Sequence, residues 1–267
     1  MISRRNLFAG AGGGLLARPF AAFTQQSRGM RRVGVLSPGA AMGEATPFGK
    51  AVLHALAENG FIVGKNLTYT ALGAEGHVER LPELVAALAE GQSEVIITTG
   101  YRAAAAAKEK TTLPIVAINS GDPIATGLVQ SLAHPGGNMT GISDVSAELT
   151  PKRLELLKEM APGLGRVAVL WNADDLGMTL RYRAAEAGAG KLGIAVQAHG
   201  VREPDDFGQA FAAMEQQSPD AILMVTDVLT MLNRRPVFDF ALKHRLPAMY
   251  EFASIVRDGG LMSYGPE

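Results

Sequence analysis

Polar residues that could hold a small charged solute stand directly after short apolar runs of this chain. The clearest run is Ile115-Val116-Ala117-Ile118, which leads into Asn119-Ser120-Gly121-Asp122-Pro123. Because β-branched runs favour strands and Asp followed by Pro favours a helix start, this stretch predicts a strand, a loop and a helix over about 123–133. Backbone N–H groups at a helix start attract anions, so the loop is a candidate binding site.

The same reasoning selects a polar loop after several other predicted strands. Hydroxyls and backbone N–H groups there could bind a carboxylate, acidic side chains could pair with an ammonium, and aromatic rings could stack on an apolar group. This chemistry suits a small zwitterion with an apolar or aromatic part. The candidate ligand-binding residues are Ser37, Pro38, Thr99, Gly100, Tyr101, Asn119, Gly121, Asp122, Trp171, Asn172, Thr226, Asp227, Tyr250 and Glu251.

Each candidate also has a purely structural interpretation. Asp122 and Asp227 could only cap the helices predicted to follow them. Trp171, the single tryptophan of the chain, could pack in a core, although its place at a strand end favours the binding site. Tyr250 and Glu251 could be ordinary loop residues. The sequence leaves both interpretations open.

Strands and helices alternate strictly, which predicts parallel sheets with right-handed crossovers. The first series has predicted strands at 32–36, 67–72, 94–98 and 115–118 and an extended piece from 138, with helices at 47–58, 78–89, 103–110 and 123–133. The second has predicted strands at 166–170, 194–198, 220–225, 247–249 and 261–263, with helices at 151–160, 175–189, 204–216, 233–244 and 253–257.

The predicted fold class is therefore α/β, with two doubly wound parallel-sheet lobes and a cleft between them. Interlobe clefts are favoured ligand sites, and such a cleft closes by a hinge motion at the crossovers. We predict an N-terminal lobe over 30–147 and a C-terminal lobe over 148–262.

Composition limits the chemistry that the chain can perform. The chain has 267 residues, 19% of them charged, with a formal net charge of −1, so nothing indicates a nucleic-acid partner. Cysteine is absent, which excludes thiol chemistry and disulfides. The histidines have no metal-ligand spacing. They are His54, His77, His134, His199 and His244. We expect no metal and no cofactor.

The first residues resemble an export signal. Ser3-Arg4-Arg5-Asn6-Leu7-Phe8 resembles the twin-arginine signature, with the last two residues inverted. The Gly/Ala-rich apolar run at 7–16 is too short to span a membrane and suits the hydrophobic part of a signal peptide. We predict that 1–29 directs twin-arginine export to the periplasm, with cleavage near Ala22. The alternative is a disordered basic tail.

Two stretches carry a resemblance to a known family. GLVQSLAHPGGNMTGIS at 127–143, preceded by Asp122-Pro123, and ELTPKRLELLKEMAP at 148–162 closely resemble substrate-binding proteins of bacterial ABC transporters. The resemblance extends from Arg32 to Tyr264. It implies a type I periplasmic-binding-protein fold and a solute-binding component that delivers its ligand to ABC permease subunits. Some family members bind tryptophan or related amino acids, which weights the expected ligand towards an aromatic amino acid.

The resemblance also implies a longer C-terminus. Family members are expected to continue by several tens of residues beyond Tyr264, with a helix and a Pro-rich tail that packs back on the lobes. Residues 263–267 would then be the start of a truncated crossover, and we expect exposed apolar surface and lower stability in this shorter chain.

Two other functions compete with solute transport. A two-lobed enzyme such as a racemase or hydrolase would need a nucleophile or an acid/base pair, but the chain has no cysteine, no GxSxG elbow and no HExxH motif. No catalytic residue is predicted. A ligand-sensing regulator would share the two lobes, but such proteins usually carry a DNA-binding helix-turn-helix, and the chain begins with an export-like segment instead.

Overall fold

The computed structural model describes residues 29–144 and 146–265. The predicted export signal, except for Gly29, lies outside the described residues, as do Pro266 and Glu267. None of the described helices is long and apolar enough to cross a membrane.

Strands and helices alternate as the sequence predicts, with two exceptions. The first series is β1 Arg31–Ser37, α1 Pro47–Glu58, β2 Leu67–Gly73, a 3-10 turn at Val78–Arg80, α2 Leu81–Glu90, β3 Val95–Thr99, α3 Gly100–Lys110, β4 Ile115–Ile118 and β5 Met139–Ile142. The second series is α4 Ser146–Met160, β6 Arg166–Asn172, α5 Leu176–Lys191, β7 Ala195–Val201, α6 Asp206–Gln217, β8 Ala221–Met224, α7 Val228–Leu232, α8 Arg234–His244, β9 Ala248–Tyr250, α9 Ala253–Arg257 and β10 Met262–Ser263. The exceptions are that the described residues between β4 and β5 form no helix and that two helices lie between β8 and β9.

The strands form two sheets with the same plan. The first has the order β2-β1-β3-β4-β5 and the second β10-β9-β8-β6-β7, and the paired strands in both are parallel. Numbered within each series, both orders read 2-1-3-4-5, an order typical of doubly wound α/β folds. The predicted fold class, two parallel α/β lobes, is confirmed.

Each sheet is covered by helices on both faces. In β1, Val33 and Val35 point towards α1, whereas Leu36 points towards α2 and α3. In β6, Val169 packs with α4 and α5, whereas Leu170 packs with α6 and α8. This alternation buries both faces of the strands, and it leaves the loops at their carboxyl ends as the accessible polar edge.

Several helix starts follow directly from the sequence. Thr46 caps α1, since its hydroxyl accepts a hydrogen bond from the Gly49 N–H at 3.0 Å, and Pro47 occupies the first helical position. Asp227 caps α7 in a capping box with Thr230. The structural role that the sequence allowed for Asp227 is therefore real, and it orients this carboxylate at the end of β8.

The predicted helix at 123–133 is wrong. Asp122 Oδ1 accepts hydrogen bonds from the N–H groups of Ile124 and Ala125, as a helix cap would, both at 3.0 Å. The chain then forms turns, because the Gly127 N–H bonds back to the Ile124 carbonyl and Gly127 has φ +73°, a left-handed conformation that ends a helical path. Asp122 thus caps a turn.

The predicted start of the next helix is also wrong. Thr150-Pro151 was expected to begin it, but α4 begins at Ser146 and contains Pro151. Proline removes one helix hydrogen bond. Side chains add bonds at the start of the helix, since the Thr150 hydroxyl and the Arg153 guanidinium both donate to the Ser146 carbonyl, at 2.9 and 2.8 Å.

Candidate functional site

The edges formed by the carboxyl ends of the strands in the two sheets face each other at the boundary between the lobes. A Cβ placed on Gly39, after β1, would lie 3.3 Å from Val228 in α7. One placed on Gly121, after β4, would lie 3.7 Å from Arg181 Nη2 in α5. Loops after first-sheet strands therefore meet elements that follow strands of the second sheet, as the predicted cleft requires.

Acidic and amide side chains of the second lobe gather at this edge. The Asn172 amide, at the end of β6, donates to Asp227 Oδ2 at 2.6 Å. Asp175 caps α5 by accepting a hydrogen bond from the Met178 N–H at 3.1 Å. Burial raises the pKa of Asp175 to about 6, and the charge of Asp227 contributes to the increase. The two carboxyl groups are thus close enough for their charges to interact. A cation placed beside them would favour their ionised forms.

The first lobe contributes the start of α3 to the same place. The Arg102 guanidinium donates to the Asp174 carbonyl at 2.5 Å, which joins the lobes directly. A Cβ placed on Gly177, in α5, would lie 3.3 Å from Tyr101 Cβ. Burial raises the pKa of the Tyr101 phenol, and the nearby Asp175 raises it further. The Tyr101 side chain therefore lies close to the acidic pair.

Buried hydroxyls at two strand ends lack partners. Thr99 Oγ1, at the end of β3, and Thr226 Oγ1, after β8, make no hydrogen bond within the described part of the chain. Leaving a buried polar group unpaired costs about 1–3 kcal/mol. A ligand that accepts or donates a hydrogen bond at these hydroxyls would recover part of that free energy.

Other first-lobe candidates shape the loops through their backbones. Gly100, the first residue of α3, has φ +76°, and Asn119 and Gly121 have φ +55° and +73°. These left-handed conformations turn the chain sharply at the ends of β3 and β4. Ser37 is buried, and its hydroxyl accepts a hydrogen bond from the Gly39 N–H at 3.1 Å. Pro38 is the neighbour of Gly100, with its Cγ 3.9 Å from a Cβ built there.

Two aromatic candidates have rings packed within the second lobe. The Trp171 ring stacks on Tyr182 with centroids 3.9 Å apart, and its Nε1 has no acceptor among the described residues. Tyr250 is 1% exposed and meets Phe238 edge to face at 5.3 Å. The core packing that the sequence allowed for Trp171 is present, and a ligand-stacking role for either ring stays a prediction.

Glu251 lies in a buried ionic cluster. Its two carboxylate oxygens contact Arg153 Nη1 at 3.1 Å and Arg181 Nη1 at 2.8 Å. Arg181 also pairs with Asp144 at 2.6 Å. The Glu251 charge is thus already balanced, which makes it a poorer partner for a ligand ammonium than Asp175 or Asp227. Its predicted ammonium contact has no support in this geometry.

The structure therefore brings Tyr101, Asn172 and Asp227 together with two residues that the sequence argument missed, Asp175 and Arg102. Asp175 stands at a helix start three residues beyond the end of β6. Extending the strand-end rule to helix caps would have found it. Within the described ranges, no three His, Asp or Glu side chains converge as metal ligands.

The sequence profile described as ABC transporter substrate binding protein matches residues 45–267. The chain belongs to this family. A tyrosine-binding protein of Clostridioides difficile strain R20291 is 24% identical over 217 residues, which cover 81% of this chain and 62% of that protein. The chain thus spans less than two thirds of the length of this relative.

Solved structures share the fold of this ABC substrate-binding protein. A conserved domain protein from Vibrio cholerae is 23% identical with a TM-score of 0.81, over 88% of this chain and 78% of that one. An ABC domain from Streptococcus pneumoniae in complex with L-Trp is 22% identical with a TM-score of 0.78 and the same coverage. The ligand-free, open structure of CD0873 from Clostridium difficile is 26% identical, with a TM-score of 0.58 over 87% and 78%.

Proposed function

We propose that this ABC substrate-binding protein holds a small organic solute, an amino acid, between its lobes and delivers it to permease subunits of an importer. The observation that carries the proposal is the meeting of Asp175 and Asp227 from the second lobe with Tyr101 from the first. Burial raises the pKa of Asp175 to about 6, and the charge of Asp227 raises it further, although the nearby Arg102 lowers it. A ligand ammonium would supply a cation there and favour the ionised carboxyl groups.

The ligand carboxylate would bind at the first lobe. Helix α3 begins at Gly100, beside the Thr99 hydroxyl, which has no hydrogen-bond partner in the part of the chain that the structure describes, and helix N-termini favour anions. A zwitterion would then contact both lobes at once, its ammonium on one side and its carboxylate on the other. Contacts to both lobes stabilise the closed arrangement relative to an open one, which is how such a ligand would be retained.

The comparisons support an aromatic amino acid as the first choice. One relative is a tyrosine-binding protein, and one similar structure contains L-Trp. The structure of this chain is also more similar to the L-Trp complex, with a TM-score of 0.78, than to the open, ligand-free protein, with a TM-score of 0.58. Tyr101, beside the acidic pair, would stack on the ligand side chain.

Isothermal titration calorimetry against the amino acids tests this function. We expect L-tyrosine, L-tryptophan or L-phenylalanine to bind, and Asp227→Asn to weaken binding about tenfold or more, since a hydrogen bond to a charged group contributes about 1.5–3 kcal/mol. The matched control is Asp258→Asn, which breaks an ion pair with Arg234 within the second lobe. A folded protein that binds none of these amino acids would contradict the proposal.

We also propose twin-arginine export to the periplasm, where the importer would receive its ligand. The support is Ser3-Arg4-Arg5 and the apolar run that follows. Replacing Arg4 and Arg5 by Lys should retain the protein in the cytoplasm of a host with this export system, as fractionation would measure. Unchanged export of the double variant would exclude this route and leave the binding function open.

A further inference from the structure

A buried ionic cluster joins the candidate binding site to the chain crossovers. It consists of Asp144, Arg153, Arg181 and Glu251, each at most 6% exposed. Asp144 lies between β5 of the first lobe and α4, on the segment by which the chain crosses between the lobes. The other three residues belong to α4, α5 and the end of β9. Two positive and two negative charges balance in this cluster.

One branch of the cluster leads from the binding-site loop to the crossover. The Thr226 N–H, adjacent to Asp227, donates to Glu251 Oε2 at 3.1 Å. The same oxygen accepts from Arg181 Nη1 at 2.8 Å, and Arg181 Nη2 donates to Asp144 Oδ2 at 2.6 Å. Four residues from four separate segments are therefore linked by consecutive charge-assisted bonds.

The other branch leads to the C-terminal segment of the described chain. Glu251 Oε1 accepts from the Ser146 hydroxyl at 2.9 Å and contacts Arg153 Nη1 at 3.1 Å. Arg153 Nε donates to the Tyr264 carbonyl at 2.7 Å. The Glu251 carboxylate thus contacts the start of α4 directly, at Ser146, and reaches the C-terminal segment through Arg153, which bonds to Tyr264.

Stability alone is a weak reason for such a cluster. Burying charges costs desolvation, and apolar replacements of similar volume are often equally stable or more stable. Directional bonds, however, fix angles that apolar contacts leave free. Because Asp144 lies on the crossover while Arg181 and Glu251 belong to the second lobe, rotation of one lobe against the other would strain the Arg181–Asp144 pair.

We propose that Asp144, Arg181 and Glu251 are positioning residues that set the angle between the lobes and couple it to the loop at Thr226. Their proposed role is to position the lobes and the loop, not to bind the ligand. In their presence one interlobe angle is favoured before ligand binds, and the Thr226 loop is held in its binding position. The coupling to ligand affinity rests on the proposed function, whereas the control of the interlobe angle does not.

Interlobe distance in the ligand-free protein tests the proposal directly. The chain has no cysteine, so Lys50→Cys in α1 and Gln209→Cys in α6, both at exposed positions, accept spin labels without background. Pulsed electron paramagnetic resonance then gives the distribution of distances between the two labels, one on each lobe. We expect Asp144→Asn and Glu251→Gln to widen it roughly twofold, because the lobes would sample more hinge angles.

The matched control is Asp258→Asn, which breaks the 2.8 Å pair with Arg234, an ion pair outside the cluster, and should leave the distribution as in the unsubstituted protein. If either single variant fails to fold, Asp144→Asn combined with Arg181→Gln removes one charge of each sign and keeps the cluster neutral. Distributions for the folded variants that match the control would overturn the proposal.

Calorimetry with L-tyrosine as the probe adds the second arm. We expect Glu251→Gln to weaken binding about tenfold, since a smaller share of the molecules would hold the binding-competent angle, and Asp258→Asn to leave it unchanged. Equal affinity of Glu251→Gln and the unsubstituted protein would overturn the coupling. If the unsubstituted protein binds no amino acid, the proposed function fails, and the distance measurement still decides whether these residues set the interlobe angle.

Discussion

The two lobes share a strand order but differ in how they use charge. Among the described residues before Asp144, the buried polar side chains are neutral and belong to Ser37, Ser93, Thr98, Thr99 and Ser120. From Asp144 onwards, the buried side chains include Asp144, Arg153, Asp175, Arg181, His199 and Glu251. The first lobe thus offers hydroxyls and a helix N-terminus, whereas the second lobe offers carboxylates and ion pairs.

We infer from this difference that the two lobes bind different ends of the ligand, a division of labour between them. A neutral edge with backbone N–H groups suits a carboxylate, and an acidic edge suits an ammonium. An amino acid carries both groups, so its two ends would require both lobes. The difference also predicts that substitutions in the second lobe affect stability and its pH dependence far more than equivalent ones in the first.

The largest effect should come from the ionic cluster. Arg153→Met should lower the free energy of unfolding by about 3–5 kcal/mol, because it leaves part of a buried charge uncompensated, and it also removes the bond to the Tyr264 carbonyl. Urea denaturation of the variant and the unsubstituted protein measures the difference. A loss below about 1 kcal/mol, the range of exposed ion pairs, would mean that the cluster resembles a solvated network.

Asp175 should produce a smaller and pH-dependent effect. Its pKa in the folded protein, about 6, is above its ordinary value of 3.8. A raised carboxyl pKa stabilises the folded state fully below the unfolded-state value, and that contribution is lost as the pH rises through the folded-state value. Relative to Asp175→Asn, which keeps an acceptor for the cap, the unsubstituted protein should therefore lose up to about 3 kcal/mol between about pH 4 and pH 8.

Urea denaturation of both proteins across that range gives the difference curve. The comparison with the variant is needed because His199 also titrates. Burial lowers the pKa of His199, so its contribution to the free energy of unfolding is lost as the pH falls, whereas that of Asp175 is lost as the pH rises. Both proteins share His199, and its contribution cancels. A flat difference curve would show that Asp175 titrates in the folded protein as it does in the unfolded chain.

The smallest stability effect should come from the first lobe. Thr99→Val replaces a buried hydroxyl that has no described partner with a methyl group of similar size. We expect the variant to be more stable by about 1 kcal/mol, the lower end of the cost of an unpaired buried hydroxyl, and to lose amino-acid affinity several-fold, as urea denaturation and calorimetry would measure. A loss of stability above about 1.5 kcal/mol with unchanged affinity would instead indicate an internal partner for this hydroxyl.

Local sequence patterns were sufficient for most of the fold. Apolar β-branched runs located the strands, and caps such as Thr46-Pro47 located helix starts. Prediction failed in two segments, and in both the features that differ from the expectation lie within the segment itself. The Asp122-Pro123 signal gave a turn because Gly127 adopts a left-handed conformation. Helix α4 begins at Ser146, before Pro151, and side chains of the same helix bond to the Ser146 carbonyl.

The candidate site was predictable to a smaller extent. The strand-end rule found Asn172, Tyr101 and Asp227, since their place follows from the topology of parallel sheets. It could not assign Glu251 to an ionic cluster, because Arg181 is 70 residues from Glu251 and 37 residues from Asp144 in the sequence. No local pattern encodes such pairs, and they appear only when the chain has folded.

The most direct test of the central claim compares an amino acid with its des-amino analogue. Calorimetry would measure both ligands, starting from the tightest-binding amino acid, with the unsubstituted protein and with Asp227→Asn. If the second lobe recognises the ammonium, the unsubstituted protein should prefer the amino acid by about tenfold or more, and the variant should lose most of that preference. Equal binding of the two ligands to the unsubstituted protein would contradict the division of labour between the lobes.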